Sequence, residues 1–200
     1  MTSEFHAIPE PRQPLSNRQV DTIRGQHHRF MLIPLMPHHT RWFDAGPVSI
    51  GVEARALGTS ATNMVRGPSI HVCSADRASE YIRFDVFGKV LHYHYIHNDT
   101  ASNTLWGYDP HANGPMIPWA CAALRDRLPA LLRNANAPQL AIEVEQSGWD
   151  SSVLGDVARA ASESLAPRHD ELALAKEGID WMMKWKAVHP QFNTVEDGEY

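Results

Sequence analysis

Two short runs of alternating residues, 80–86 and 90–97, stand back to back in this chain with a glycine turn between them. In the first, Ile82, Phe84 and Val86 alternate with Arg83 and Asp85. In the second, Leu91, Tyr93 and Tyr95 alternate with His92 and His94. Successive side chains of a β-strand point to opposite faces, so each run has one apolar and one polar side. A two-residue hairpin with Gly88 at its first central position sets Phe87 opposite Val90, Asp85 opposite His92 and Arg83 opposite His94. A loop one residue longer would flip one strand and break the agreement of the two patterns. The expectation is a hairpin with one dry face and one face carrying Arg83, Asp85, His92 and His94.

Two imidazoles at alternate strand positions converge above the sheet, as a metal ion or a proton-transfer site requires. Asp85 would complete a two-histidine, one-carboxylate set suited to Fe, Mn or Zn with open coordination positions. His97 or Asp99, just past the strand, is the alternative third ligand. Arg83 on the same face would bind an anionic substrate. The bland alternative is an ion-pair network on a polar sheet face, worth about 0.2–1 kcal/mol per cross-strand pair. Haem also stays open, because a lone axial histidine leaves no spacing signature.

The rest of the chain frames this hairpin. Residues 48–57 alternate with period two, placing Val48, Ile50, Val52, Ala54 and Ala56 on the core side, and 68–74 forms a further strand. A strand over 28–36 is interrupted by Pro34, and Ser16 or Asn17 caps a short helix ending before Gly25. Consecutive strands without intervening helices imply a mainly antiparallel sheet, of a kind that can curl into a barrel. Residues 98–115 show no regular pattern and leave directly from the histidine strand. They are expected to fold over it as a lid, bringing Trp106 to the substrate and Asp109 and His111 as an acid/base pair.

Helical spacing begins at Pro118, with a kink or restart at Pro129. Leu140, Ile142 and Val144 suggest one more strand, and Asp150 or Ser151 caps the next helix. The last helix, about 170–188, has two apolar stripes, one with Leu172, Ala175, Ile179 and Met182, the other with Leu174, Gly178, Trp181, Trp185 and Val188. That is more apolar surface than one sheet face covers, so a homodimer interface is expected there. The fold class is α+β, an N-terminal mainly antiparallel sheet followed by a C-terminal helical half. Residues 1–15 read as an extended arm, 16–190 as a single domain and 191–200 as a frayed acidic tail.

Composition narrows the function. A net charge of −5, with 18 scattered Lys and Arg in 200 residues, argues against nucleic acid as partner. The two cysteines make no disulfide framework. The longest apolar run, 30–36, is too short to cross a bilayer, which suggests a soluble, cytoplasmic protein. The 12 histidines are the compositional feature that points toward chemistry. The leading reading is a small-molecule enzyme, dependent on a divalent metal at the His-x-His site and acting on an anionic substrate. The alternatives are a metal-free acid/base isomerase, lyase or cyclase using the same pocket, and a non-catalytic ligand-binding or protein-interaction module.

Overall fold

The computed structural model describes residues 26–28 (backbone alone), 34–58, 60, 63–88 and 90–189. The N-terminal arm, the short helix ending before Gly25, residues 29–33 and the acidic tail lie outside the described residues. Six antiparallel strands carry the N-terminal half: β2 (Thr40–Ala45), β3 (Val48–Leu57), β4 (Val65–Ser74), β5 (Glu80–Phe87), β6 (Val90–His97) and β7 (Ser102–Gly107). A three-residue strand β1 (Gln26–His28) pairs with β7, giving the order β1-β7-β6-β5-β4-β3-β2. β1 and β2 are opposite edges that do not pair, so the sheet is open and not closed into a barrel.

Helices follow: α1 (Pro110–Asn113), α2 (Met116–Asn134), α3 (Pro138–Ser147), α4 (Leu154–Glu163) and α5 (Glu171–Val188). The β5–β6 hairpin has the expected register, with Phe87 opposite Val90, Asp85 opposite His92 and Arg83 opposite His94. Gly88 turns the chain at φ +39°.

Across the sheet, the period-two pattern sorts residues into rows. One apolar row runs Val52, Ile70, Phe84, Tyr93, Trp106 and the next runs Ile50, Val72, Ile82, Tyr95. α2 and α4 pack on these rows through Ile117, Ala120, Leu124, Leu128, Val157 and Ala161. Trp119 sets its ring against Phe84, Tyr93 and Tyr108 at centroid distances of 5.9, 5.5 and 4.8 Å. Burying each large aliphatic side chain here contributes about 1.5–3 kcal/mol.

Three expectations are corrected. Residues 102–107 are a strand and not part of an irregular lid: the β-formers of Thr104, Leu105 and Trp106 take up the free edge of β6, and 98–101 close the hairpin. Residues 138–147 are helical. Pro138 pre-sets the first turn, and only Ala141 and Val144, three apart, are buried, while Ile142 faces solvent. α2 runs unbroken through Pro129, because Leu124, Leu128 and Leu132, all fully buried, anchor the turns on both sides of it. Asp150 does cap its turn, accepting from the Ser152 amide.

β4 crosses β5 so closely at Gly67 that a Cβ there would lie 1.9 Å from the Val86 carbonyl oxygen, and φ is +155°. Gly67→Ala is therefore expected to cost about 1–3 kcal/mol from backbone strain, with the clash added. A urea midpoint equal to that of the unsubstituted protein would contradict this contact.

Candidate functional site

The opposite face of the sheet is charged, and it is buried. Two rows cross it: Thr40, Glu53, Ser69, Asp85, His92, Gly107, and beside it Trp42, Gly51, His71, Arg83, His94, Leu105. Glu53 and His71 are fully buried, and Arg83, His94 and Asp85 are 1%, 1% and 3% exposed. Charges taken this far out of water persist only with partners, so the pairing pattern is the content of the site.

Asp85, His92 and His94 form its centre. Their ligand-type atoms all lie within 4.8 Å of one another. Asp85 Oδ2 stands 3.3 Å from His92 Nε2 and 3.2 Å from His94 Nε2, and its other oxygen accepts from the Ser69 hydroxyl. The outer nitrogens are occupied elsewhere. His92 Nδ1 is 2.9 Å from the Val90 carbonyl oxygen, and His94 Nδ1 is 3.1 Å from Asn103 Oδ1. A carbonyl oxygen can only accept, so each ring donates from Nδ1. In the neutral ring, that leaves the Nε2 lone pair aimed at the shared centre. His94 Nε2 is buried and makes no hydrogen bond, despite its closeness to Asp85.

Their protonation follows from these surroundings. Burial would raise the Asp85 carboxyl, but the adjoining His92 and His94 rings and the Arg83 charge outweigh it and hold it well below the usual range. Burial pushes His94 down, toward the neutral ring. The more open His92 is raised: its desolvation is outweighed by the Asp85 bond and charge.

A second cluster shares the face. Arg83 donates from Nε and Nη2 to the two oxygens of Glu80, at 2.8 and 2.6 Å. His71 lies between two carboxylates, with Nδ1 2.6 Å from Glu80 Oε1 and Nε2 3.2 Å from Glu53 Oε2. Both nitrogens face carboxylates, an arrangement that favours the protonated ring. Burial acts against its charge, but Glu80 and Glu53 raise it above its ordinary value. Glu53 and Glu80 are lowered in turn, against their own desolvation, by the cations beside them: Arg55 and His71 for Glu53, Arg83 and His71 for Glu80.

The raised His71 adds stability that is complete below its ordinary 6.5 and lost as pH rises through its folded value. The lowered Glu53 and Glu80 add stability that is complete above their ordinary 4.5 and lost as pH falls through their folded values. Stability should peak between these limits, and His71→Gln should flatten the alkaline side. An alkaline fall equally steep in His71→Gln, followed by urea midpoints, would reject this role.

The other residues expected at the site lie elsewhere. Trp106 pairs with Tyr93 on the apolar face, against the helices. Asp109 caps the exposed turn α1, accepting from the His111 and Ala112 amides, and His111 is exposed on that turn. His97 has the strand parity of Tyr93 and Tyr95 and meets Thr104 Oγ1 at 3.0 Å. Asp99 is exposed in the β6–β7 turn and belongs to neither three-ligand cluster found among the described residues. Arg83 is on the expected face, but Glu80 holds its fork.

Sequence reasoning missed Asn103, hidden among turn formers, and undervalued Ser69 and His71, although their alternation with Ile70 and Val72 carried the signal. Glu80 had no such signal. Its parity belongs with Ile82 and Phe84, and a register shift at Val72/Cys73 pairs it with Cys73 and so moves it to the charged face.

Residues 42–161, with all of β3 to β7 and the central cluster, match the family described as a domain of unknown function (DUF7700). The chain belongs to the DUF7700 family. No curated protein and no solved structure matches it. The Asp85–His92–His94 cluster thus lies inside the DUF7700 domain, whereas α5 and the turn ahead of β2 flank it.

Proposed function

We propose that this DUF7700 protein is a small-molecule enzyme whose centre is a divalent metal ion held by His92, His94 and Asp85, acting on an anionic substrate. The observation that carries this reading is the pair of Nδ1 bonds, to Val90 and Asn103, which turn both Nε2 atoms toward Asp85 Oδ2. Metal-ligating histidines characteristically donate their other ring N–H to such acceptors, fixing tautomer and orientation. A bound ion would supply Lewis-acid or redox chemistry.

Charge supports the substrate class. On the buried face, three carboxylates (Glu53, Glu80, Asp85) already balance three cations (Arg55, Arg83, His71). With His92 and His94 neutral as ligands, a divalent ion adds two positive charges that no further described group on this face offsets. An anion answers that excess. Access is from the His92 side, where its side chain is 13% exposed beside Phe87.

The raised His92 against Asp85 favours a second reading, a metal-free acid/base isomerase, lyase or cyclase in which His92 moves the proton. Metal analysis of the purified, untagged protein separates the two. One equivalent of Fe, Mn or Zn is expected at this site, and metal-free protein with undiminished activity would overturn the first reading. Asn103→Leu removes the acceptor that orients His94 and should weaken metal binding about 10–100-fold. Equal affinity in a chelator competition would remove that role.

We also propose a cytoplasmic homodimer. No described helix is long and apolar enough to cross a membrane. On α5, Leu174, Ala175 and Gly178 are buried within the chain, while Leu172, Ile179, Met183 and Val188 remain exposed. Sedimentation as a monomer at micromolar concentration would reject the dimer.

A further inference from the structure

Outside the central site, one more group of ligand-type side chains converges among the described residues, and it joins the two flanks of the DUF7700 domain. His38 and His39 lie in the 3-10 turn Pro37–His39 just ahead of β2, and Glu177 lies on α5. His38 Nε2 is 2.8 Å from Glu177 Oε1 and His39 Nε2 is 2.9 Å from Glu177 Oε2, and the two rings stand 4.5 Å apart. All three ligand atoms fall within 4.8 Å of one another. His38 and Glu177 border a surface cavity of about 410 Å³, also lined by Lys176, Asp180, Trp181 and Lys184, so an ion can reach them from solvent.

We propose that His38, His39 and Glu177 form a second divalent-metal site, one that pins α5 to the segment ahead of β2. Two imidazoles and a carboxylate suit zinc, copper or nickel better than magnesium or calcium, which prefer all-oxygen ligands. Ligands about 2.0–2.2 Å from a tetrahedral ion sit roughly 3.3 Å from each other. Each hydrogen-bonded pair would part by about half an ångström to admit one, and the remaining ligand atoms, all within 4.8 Å, would settle to a similar spacing.

The mechanical consequence comes from how lightly α5 is seated. Among the described residues, its apolar contact consists of Leu174 and Ala175 against Met36 and Ala56, with Met64 and Trp181 at the margin, and Glu171 pairs with Arg66 at 2.8 Å. Trp181 Nε1 donates to the Leu35 carbonyl at 3.0 Å, and its ring meets the His38 ring edge-on at 5.7 Å. An ion bridging the turn and the helix would tie together groups 138 and 139 residues apart in the chain, on top of that small seat. Because binding requires the docked helix, the ion holds α5 in place.

The full-length, untagged protein tests this with zinc, followed by calorimetric stoichiometry, and with copper, followed by quenching of Trp181. Unsubstituted protein should bind one zinc more than either His38→Ala/His39→Ala or Glu177→Gln. Copper should quench a component of the fluorescence that both variants and Trp181→Phe lack. Zinc should slow amide exchange along α5 in the unsubstituted protein only. Equal zinc stoichiometry and equal quenching in all three proteins would overturn the second site. The central site reads out separately through His92→Ala/His94→Ala. If that variant takes up as much zinc as the unsubstituted protein while His38→Ala/His39→Ala loses one equivalent, the surface site stands and the central one falls.

Discussion

Arg83→Met should be the most destabilising single change on the sheet, costing about 3–5 kcal/mol, the range for breaking a buried ion pair by removing one partner. Methionine keeps much of the stem volume, so the loss isolates the guanidinium. Arg83 is buried, grips Glu80 through two hydrogen bonds and lends its charge to Asp85. Without it, Glu80 retains only His71 as cation on this face, and one carboxylate of the balanced set has no counter-charge. Typical domains have only about 5–15 kcal/mol of total stability, so the variant should show a much lower urea midpoint or fold poorly. Adding Glu80→Gln should recover part of the loss, because it removes the stranded charge. A midpoint shift equivalent to under about 1 kcal/mol would mean that the face is wetter than its burial indicates.

His94→Ala and His92→Ala should each lose the central site's equivalent of metal, with affinity there falling by at least about 100-fold, more than for a change in an orienting neighbour. Each removes one of only three ligands, and two ligands do not hold a divalent ion in competition with water. Their structural effects should differ. His94 is enclosed and bonded to Asn103, so its loss strands the Asn103 oxygen and costs some stability. His92 is partly open and bonded to a carbonyl of its own strand, so His92→Ala should leave circular dichroism and urea midpoint nearly unaltered. Metal stoichiometry in both variants equal to that of the unsubstituted protein would remove the central site. Lost folding with unaltered metal content would return the histidines to a structural role.

Reading the sequence alone was sufficient for the hairpin because its information is local. Turn length fixes register, register fixes which side chains oppose one another, and alternation fixes the face. Asp85, His92, His94 and Arg83 were therefore legible together, as was the strand Val48–Leu57 with its core-facing Val48, Ile50 and Val52. The apolar spacing of α5 was legible too, but it set Ala175 on one stripe and Leu174 and Gly178 on the other, whereas the structure buries these three together.

What the tertiary structure decided was non-local. The strand 102–107 is made of residues whose own signal is drowned by the turn formers around them, and it forms because β6 offers an unpaired edge. That pairing brings Asn103 to His94. α3 is a helix because α2 covers it every third or fourth residue, a contact its alternating Leu140, Ile142 and Val144 do not disclose. Most consequential is Glu80. One extra residue in β5 turns its carboxylate across the sheet to Arg83 and His71. A bulge is a compromise between two strands, so neither strand's sequence specifies it alone.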